Sequence, residues 1–407
     1  MIRRMVFAKA RTALGILHGS RAFGGPVQVD LRLTNRCNLR CIHCYYYSPF
    51  LQVPAYYPLR VARSQGVDPP SAADLKRMFQ IDLSPKRIRT TVQELLEMGT
   101  QRFQLGGNGE PFLYKDAMEL IAILKRAGCY CFANTNGTLI DTAAADELIK
   151  LHFDELRITM MAGAAESYVR THPGSTPETF ERLRKTLVHI AGRKTALKAR
   201  RPKITLVLIV ITQNSGCIFE FAKFAAEVAA DLVLYRPVDD IGDPGLANLV
   251  PDSGQAASIV EQLEEARRFL ESRGINQNIA YFMKIFSRQL DTGMLYRIIP
   301  CYYGWLSTVI DPDGNVYPCC RCYKPLGNIN ERSFHDIWNG KPYCEFRREA
   351  LNLHKRRRPL TDCSCYRCVH HTANLRAYRA MHPLKGRSSE LHSLRPGSPD
   401  DGYGQDE

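Results

Sequence analysis

The sequence predicts an α/β fold built on parallel strands, and three observations carry that prediction. Strand-like and helix-like stretches alternate between about residues 26 and 240. Successive parallel strands need crossovers, which are helical and right-handed in most proteins. The chain is 407 residues long with 45% hydrophobic residues, enough for a sizeable core and more than one domain. Periodicity alone leaves a doubly wound sheet and an incomplete barrel open.

Residues 1–25 read as a basic N-terminal helix. Lys9 and Arg11 interrupt its apolar stretch, so a signal peptide is not expected. No run of eighteen apolar residues occurs, and a transmembrane helix is not predicted. Val27-Gln28-Val29-Asp30-Leu31-Arg32-Leu33 alternates with period two and reads as the first strand. Thr91–Met98 has helical periodicity and stops at Gly99. Further strands are expected near Phe103–Leu105, Tyr130–Asn134, Leu156–Met160, Ile204–Ile211 and Leu232–Tyr235. Helices are expected over Lys115–Ala127, Ala143–Leu151, Pro177–Ile190 and Phe219–Ala229.

The predicted domains are a core at 26–240, a helical linker at 241–295, a cysteine-rich domain at 296–385 and a disordered tail at 386–407. The tail is rich in Ser, Gly, Pro and acidic residues. A long segment from Tyr45 to about Pro85, opening on Tyr45-Tyr46-Tyr47-Ser48-Pro49-Phe50, interrupts the strand–helix rhythm, and loops of that length are usually functional or disordered.

A net charge of +14 is spread over short basic segments. It reads as a solvated basic face; nucleic acid is not expected as a partner, and peripheral contact of the N-terminal helix with an anionic membrane is allowed. Fourteen cysteines without an export signal, gathered in tight groups, point to metal ligation in a reducing, cytoplasmic setting rather than to disulfides.

Cys37-Asn38-Leu39-Arg40-Cys41-Ile42-His43-Cys44 spaces three thiols as C-x3-C-x2-C directly after the first strand. Three thiolates on one loop can hold three irons of a cubane cluster and leave the fourth open to a small molecule, whereas clusters usually take four cysteines. Zinc is the alternative, with His43 as closing ligand, but His43 lies directly beside Cys44.

This motif resembles the signature of the radical S-adenosylmethionine (SAM) superfamily, and Cys-Asn-Leu-Arg-Cys-x-His-Cys-Tyr resembles its peptide- and small-molecule-modifying branch. The resemblance implies a partial (βα)6 barrel over roughly 26–240. Cys37, Cys41 and Cys44 would ligate a [4Fe–4S] cluster with an open iron. SAM bound there would be cleaved reductively to a 5′-deoxyadenosyl radical that abstracts a substrate hydrogen. Gly106-Gly107-Asn108-Gly109-Glu110-Pro111 sits where the family has its G-G-E element, with Asn108 at a position where glycine is commoner. The resemblance makes Gly107, Asn108, Gly109 and Glu110 SAM contacts, together with Asn136 after the third strand and Thr159 near the end of the fourth.

Eight cysteines lie between Cys301 and Cys368. Asp313-Gly314 marks a hairpin turn that would bring the Cys301 and Cys319 ends together, and Cys365 and Cys368 form a C-x2-C pair. Four such thiolates suit an iron–sulfur cluster or zinc. C-x12-G-x4-C followed by C-x2-C resembles the SPASM/twitch extension of radical SAM enzymes. With no cysteine after Cys368, the shortened form is implied, with one auxiliary [4Fe–4S] cluster on Cys301, Cys319, Cys365 and Cys368, acting in electron transfer. Cys320, Cys322, Cys344 and Cys363 remain unassigned, and Cys129, Cys131 and Cys217 read as packing residues.

A reductant such as flavodoxin or ferredoxin is the expected electron source. With only 25 residues before the first strand, no leader-binding domain is expected at the N-terminus. A small molecule (a sugar, an alcohol or a lipid-linked compound) is therefore the expected substrate. A peptide maturase is the alternative within the family, and a non-catalytic zinc or iron–sulfur module the alternative outside it.

Overall fold

The computed structural model describes residues 2–51, 77–239, 243–287, 294–356, 360, 362–365 and 368–383. The expected tail at 386–407 and most of the segment between Tyr45 and Pro85 lie outside these residues.

One ten-stranded sheet organises the molecule. Its first six strands are β1 (Gln28–Leu31), β2 (Arg102–Leu105), β3 (Tyr130–Thr135), β4 (Glu155–Thr159), β5 (Lys203–Val210) and β6 (Leu232–Pro237). They pair in sequence order, all parallel. The crossovers include helices Pro85–Glu97, Ala117–Arg126, Thr142–Lys150, Pro177–Ala196 and Ile218–Glu227, close to the predicted positions.

Alternation along each strand separates two faces. Val29, Leu31, Phe103, Leu105, Leu156, Ile158, Leu206 and Leu208 join the main core with the helices, at 1% exposure or less. Each such side chain contributes about 1.5–3 kcal/mol by burial. Inside, at the foot of the barrel, Arg157 forms a buried ion pair with Glu155 at 2.8 Å. Glu155 also accepts from Tyr130 and Thr205 at 3.0 and 2.7 Å, so the buried charge is paired and hydrogen-bonded. Farther up the inner face, Asp30 of β1 is buried, and the half-buried Arg32, just past the strand, pairs with Asp311 at 3.0 Å.

The sheet continues past the six expected strands on both sides. The segment read as a linker supplies helix Ser253–Ser272, capped by Asp252, and then β7 (Asn276–Gln277), which pairs parallel with β6. On the other side, β8 (Ser307–Ile310) pairs parallel with β1, and β9 (Asn315–Tyr317) returns antiparallel to β8. The turn carries Gly314 at φ 85°, as the Asp-Gly signal requires. β10 (Gly327–Asn328) closes that edge. The C-terminal hairpin thus extends the core sheet instead of standing apart. Cys301 does not open the hairpin strand; a helical turn, Tyr303–Leu306, separates it from β8.

Helix Ile2–His18 packs beside Trp305, whose indole N–H donates to the Arg21 carbonyl at 3.0 Å. No helix among the described residues is long and apolar enough to cross a membrane.

Candidate functional site

The register aligns Leu31 with Leu105, Leu105 with Ala133, and Thr135 with Ile158, so β1 to β4 end at a common level. The loops leaving these ends carry the residues singled out in the sequence. Ligands in α/β folds commonly bind at such carboxyl ends.

Cys37, Cys41 and Cys44 are free thiols on the β1 loop, half-buried. Burial raises all three, Cys37 to about 11, and Cys41 is raised further by its neighbours Cys44 and Cys37. Three crowded thiols of this kind need a cation or a cluster to hold them as thiolates. The Tyr46 amide donates to the Cys44 sulfur at 3.4 Å, a contact that tunes a cluster's potential. His43 is half-buried, and its imidazole is driven down to about 3 by desolvation and by His172.

The β2 loop lies against the entry of the cysteine loop. Gly109 and Glu110 donate their amides to the Thr34 and Arg36 carbonyls at 3.1 and 2.8 Å. A Cβ on Gly109 would sit 2.2 Å from the Arg36 oxygen, so only glycine permits this approach. Gly107 has φ 139° and passes over the Arg32 side chain. Asn108 is buried; its Nδ2 donates to Asn35 at 3.0 Å, while its Oδ1 has no partner. That buried acceptor fits an ammonium group such as the one SAM carries.

Glu110 is spent on the protein. Its carboxylate accepts from the Phe112 and Asn136 amides at 3.3 and 2.8 Å and from the Thr135 hydroxyl at 2.6 Å, binding the β2 loop to the end of β3. Burial nevertheless raises it to about 7. Asn136 donates to Asn38 at 2.9 Å, and both reach Thr138, so the β3 end is tied directly to the cysteine loop. Thr159 ends β4 half-buried on the same inner face as Arg157. The tie through Asn38 was not anticipated from the sequence, although Asn38 lies inside the cysteine motif.

The second cysteine group is assembled from distant segments. Cys301, Cys319, Cys365 and Cys368 share one cluster under Tyr296, Tyr303 and Leu353. Cys301 and Cys368 are buried, and burial raises each thiol, with Cys365 acting on both. Backbone amides of Arg321 and His370 donate to the Cys319 and Cys368 sulfurs at 3.4 and 3.3 Å, and the Tyr296 hydroxyl lies 2.8 Å from Cys368. Four thiols so supplied with donors fit an iron–sulfur cluster. Of the unassigned four, Cys322 and Cys363 are joined as a disulfide across a short antiparallel bridge. Cys344 lies on helix Lys341–Leu351 and contacts the Asn339 carbonyl, outside the thiol cluster. Cys320 meets His370 at 3.1 Å, a residue the sequence reading passed over. Cys129 and Cys131 are core residues, and Cys217 touches Arg170.

A parallel partial barrel with a three-thiol loop at its mouth and a second group of thiols gathered beside an added hairpin is an α/β architecture with two places that suit iron–sulfur clusters. Comparison with known families agrees. Residues 31–199 match the radical SAM superfamily, and residues 301–369 match the SPASM iron–sulfur cluster-binding domain. The chain belongs to the radical SAM superfamily of enzymes and carries a SPASM-type domain; its cofactors are a [4Fe–4S] cluster with an open iron, SAM and auxiliary iron–sulfur.

Among curated relatives, the antilisterial bacteriocin subtilosin biosynthesis protein AlbA of Bacillus subtilis is 24% identical over 79% of this chain. The match spans 61% of AlbA's own length. The PqqA peptide cyclase of Xanthomonas euvesicatoria is 24% identical over 80% of this chain and 77% of its own. Among solved structures, Streptococcus suis SuiB bound to its precursor peptide SuiA aligns with a TM-score of 0.55 at 14% identity, covering 82% of this chain and 71% of SuiB. The structure of anSMEcpe with AdoMet and a Cp18Cys peptide aligns at 0.53 and 16% identity, covering 85% and 86%. These likenesses support the fold.

Proposed function

We propose that this enzyme modifies a peptide by radical chemistry, using SAM at the Cys37–Cys41–Cys44 loop and an auxiliary cluster on Cys301, Cys319, Cys365 and Cys368. The observation that carries the substrate class is that AlbA is named for the biosynthesis of a bacteriocin, subtilosin, and the PqqA peptide cyclase for cyclising a peptide, matching 79% and 80% of this chain. This moves the reading from the small molecule favoured by the sequence to the peptide alternative. The non-catalytic module falls away with the family assignment.

When bound, the open-iron cluster supplies reductive cleavage of SAM to the 5′-deoxyadenosyl radical. This chain's residues do the holding. Cys37, Cys41 and Cys44 would hold three irons and leave the fourth without a protein ligand, open to the SAM amino and carboxylate groups. Asn108 Oδ1 would accept from the amino group, and Asn136 and Thr159, at the ends of β3 and β4, would face the nucleoside. Glu110 positions these contacts by locking the β2 loop to β3. Cys301, Cys319, Cys365 and Cys368, gathered beside the hairpin that pairs with β1, would hold an auxiliary cluster that could supply an acceptor for an electron from the substrate radical. The reading places the enzyme in the cytoplasm with a flavodoxin or ferredoxin as reductant.

The test is anaerobic incubation of the reconstituted enzyme with SAM, reductant and precursor peptides encoded beside its gene. Mass spectrometry is expected to show a peptide product lacking a pair of hydrogens or otherwise rearranged, together with 5′-deoxyadenosine. Turnover of a sugar or alcohol with every peptide untouched contradicts the proposal.

A further inference from the structure

Cys319 and Cys320 are adjacent, and their sulfurs lie with His370 inside a 4.8 Å group, with Cys320 and His370 at 3.1 Å. The imidazole is fixed in place: it stacks on Tyr303 with ring centres 4.0 Å apart and planes 18° apart. Cys319 packs in the same group as Cys301, Cys365 and Cys368. Two of those positions are anchored differently. The Cys301 amide bonds to the Ala350 carbonyl, and the Cys368 sulfur is held by the His370 amide and the Tyr296 hydroxyl. Only one position in the set is thus served by two neighbouring thiols.

A cubane cluster takes one thiolate per iron. With Cys301, Cys365 and Cys368 in place, either Cys319 or Cys320 completes the set and the other stays idle. An idle half-buried thiol is steadied by a polar partner, and the His370 ring lies within 4.8 Å of both sulfurs. We propose that Cys319 and Cys320 are alternative ligands of the auxiliary cluster, with His370 holding whichever thiol is not in use.

The inference rests on the auxiliary ligand set proposed above, and the test separates the two. The parent is the full chain with Cys37, Cys41 and Cys44 changed to alanine, so that only auxiliary iron remains after anaerobic reconstitution. If the parent holds no iron, the ligand set fails and the exchange with it. If it holds a cluster, Cys319→Ser and Cys320→Ser are each expected to keep the parent's iron and sulfide, and the double variant, left with three thiolates, to hold less iron than either single variant. Loss of iron in Cys319→Ser alone overturns the exchange, and so does a double variant that keeps the iron of the single variants. Should a Cys319 variant not fold, the parent's reduced cluster is compared with Cys320→Ser by electron paramagnetic resonance. Two overlapping signals collapsing to one support the exchange, and an unchanged spectrum overturns it.

Discussion

The two cysteine groups reach their sites by opposite routes. The first packs its three thiols into eight residues of one loop, and the strand ends around it need only hold that loop still. Asn38, Thr34 and Arg36 receive the contacts that do so, from β3 and the β2 loop. The second draws on thiols 67 residues apart, from Cys301 to Cys368, and exists only once the β8–β9 hairpin has joined β1. A local site is specified by spacing, whereas a distributed one depends on the fold and tolerates ambiguity such as the Cys319–Cys320 pair.

The comparison breaks if the sites do not fail independently. Cys368→Ala, which leaves the auxiliary set one thiolate short, is expected to deplete the auxiliary iron while SAM cleavage at the first loop continues, as judged by iron content and 5′-deoxyadenosine formation. Loss of both together would mean that the first site depends on the second.

A smaller effect is expected from the backbone that supports the local site. Gly109→Ala puts a Cβ into the Arg36 carbonyl. It should cost about 3 kcal/mol, at the upper end for overpacking, and weaken SAM binding. Gly192→Ala, in helix Pro177–Ala196 with nothing within 4 Å, should gain up to about 1 kcal/mol. Thermal melts of the two variants check the contrast.

The smallest effect concerns Glu110, and it sharpens the claim that this carboxyl is structural. Its folded value, about 7, lies above its ordinary 4.5, so its contribution to stability is full below pH 4.5 and is lost as pH rises through 7. Measured against Glu110→Gln, which does not titrate, the native protein should lose at most about 3 kcal/mol between pH 4.5 and 8. Denaturant midpoints across that range check it; a flat difference would mean that Glu110 titrates at its ordinary value in the folded protein.

The contrast also explains what could be read from the sequence. The six core strands carry strong apolar patterning, and the C-x3-C-x2-C loop and the Asp313-Gly314 turn are local signals, so each appears where the residues imply. β7 is only Asn276–Gln277, without a pattern of its own, and it forms because β6 offers an open edge. The pairing of β8 with β1 joins residues nearly 280 positions apart, which no local signal encodes. For the same reason spacing picks Cys319 from the second group but says nothing about His370, brought beside Cys320 by the fold alone.

The most direct measurement is SAM cleavage by the protein with Cys37, Cys41 and Cys44 replaced by alanine, after anaerobic reconstitution and reduction. We expect the auxiliary iron to remain and 5′-deoxyadenosine formation to vanish. Undiminished cleavage would place the open iron elsewhere and contradict this account of the β1 loop.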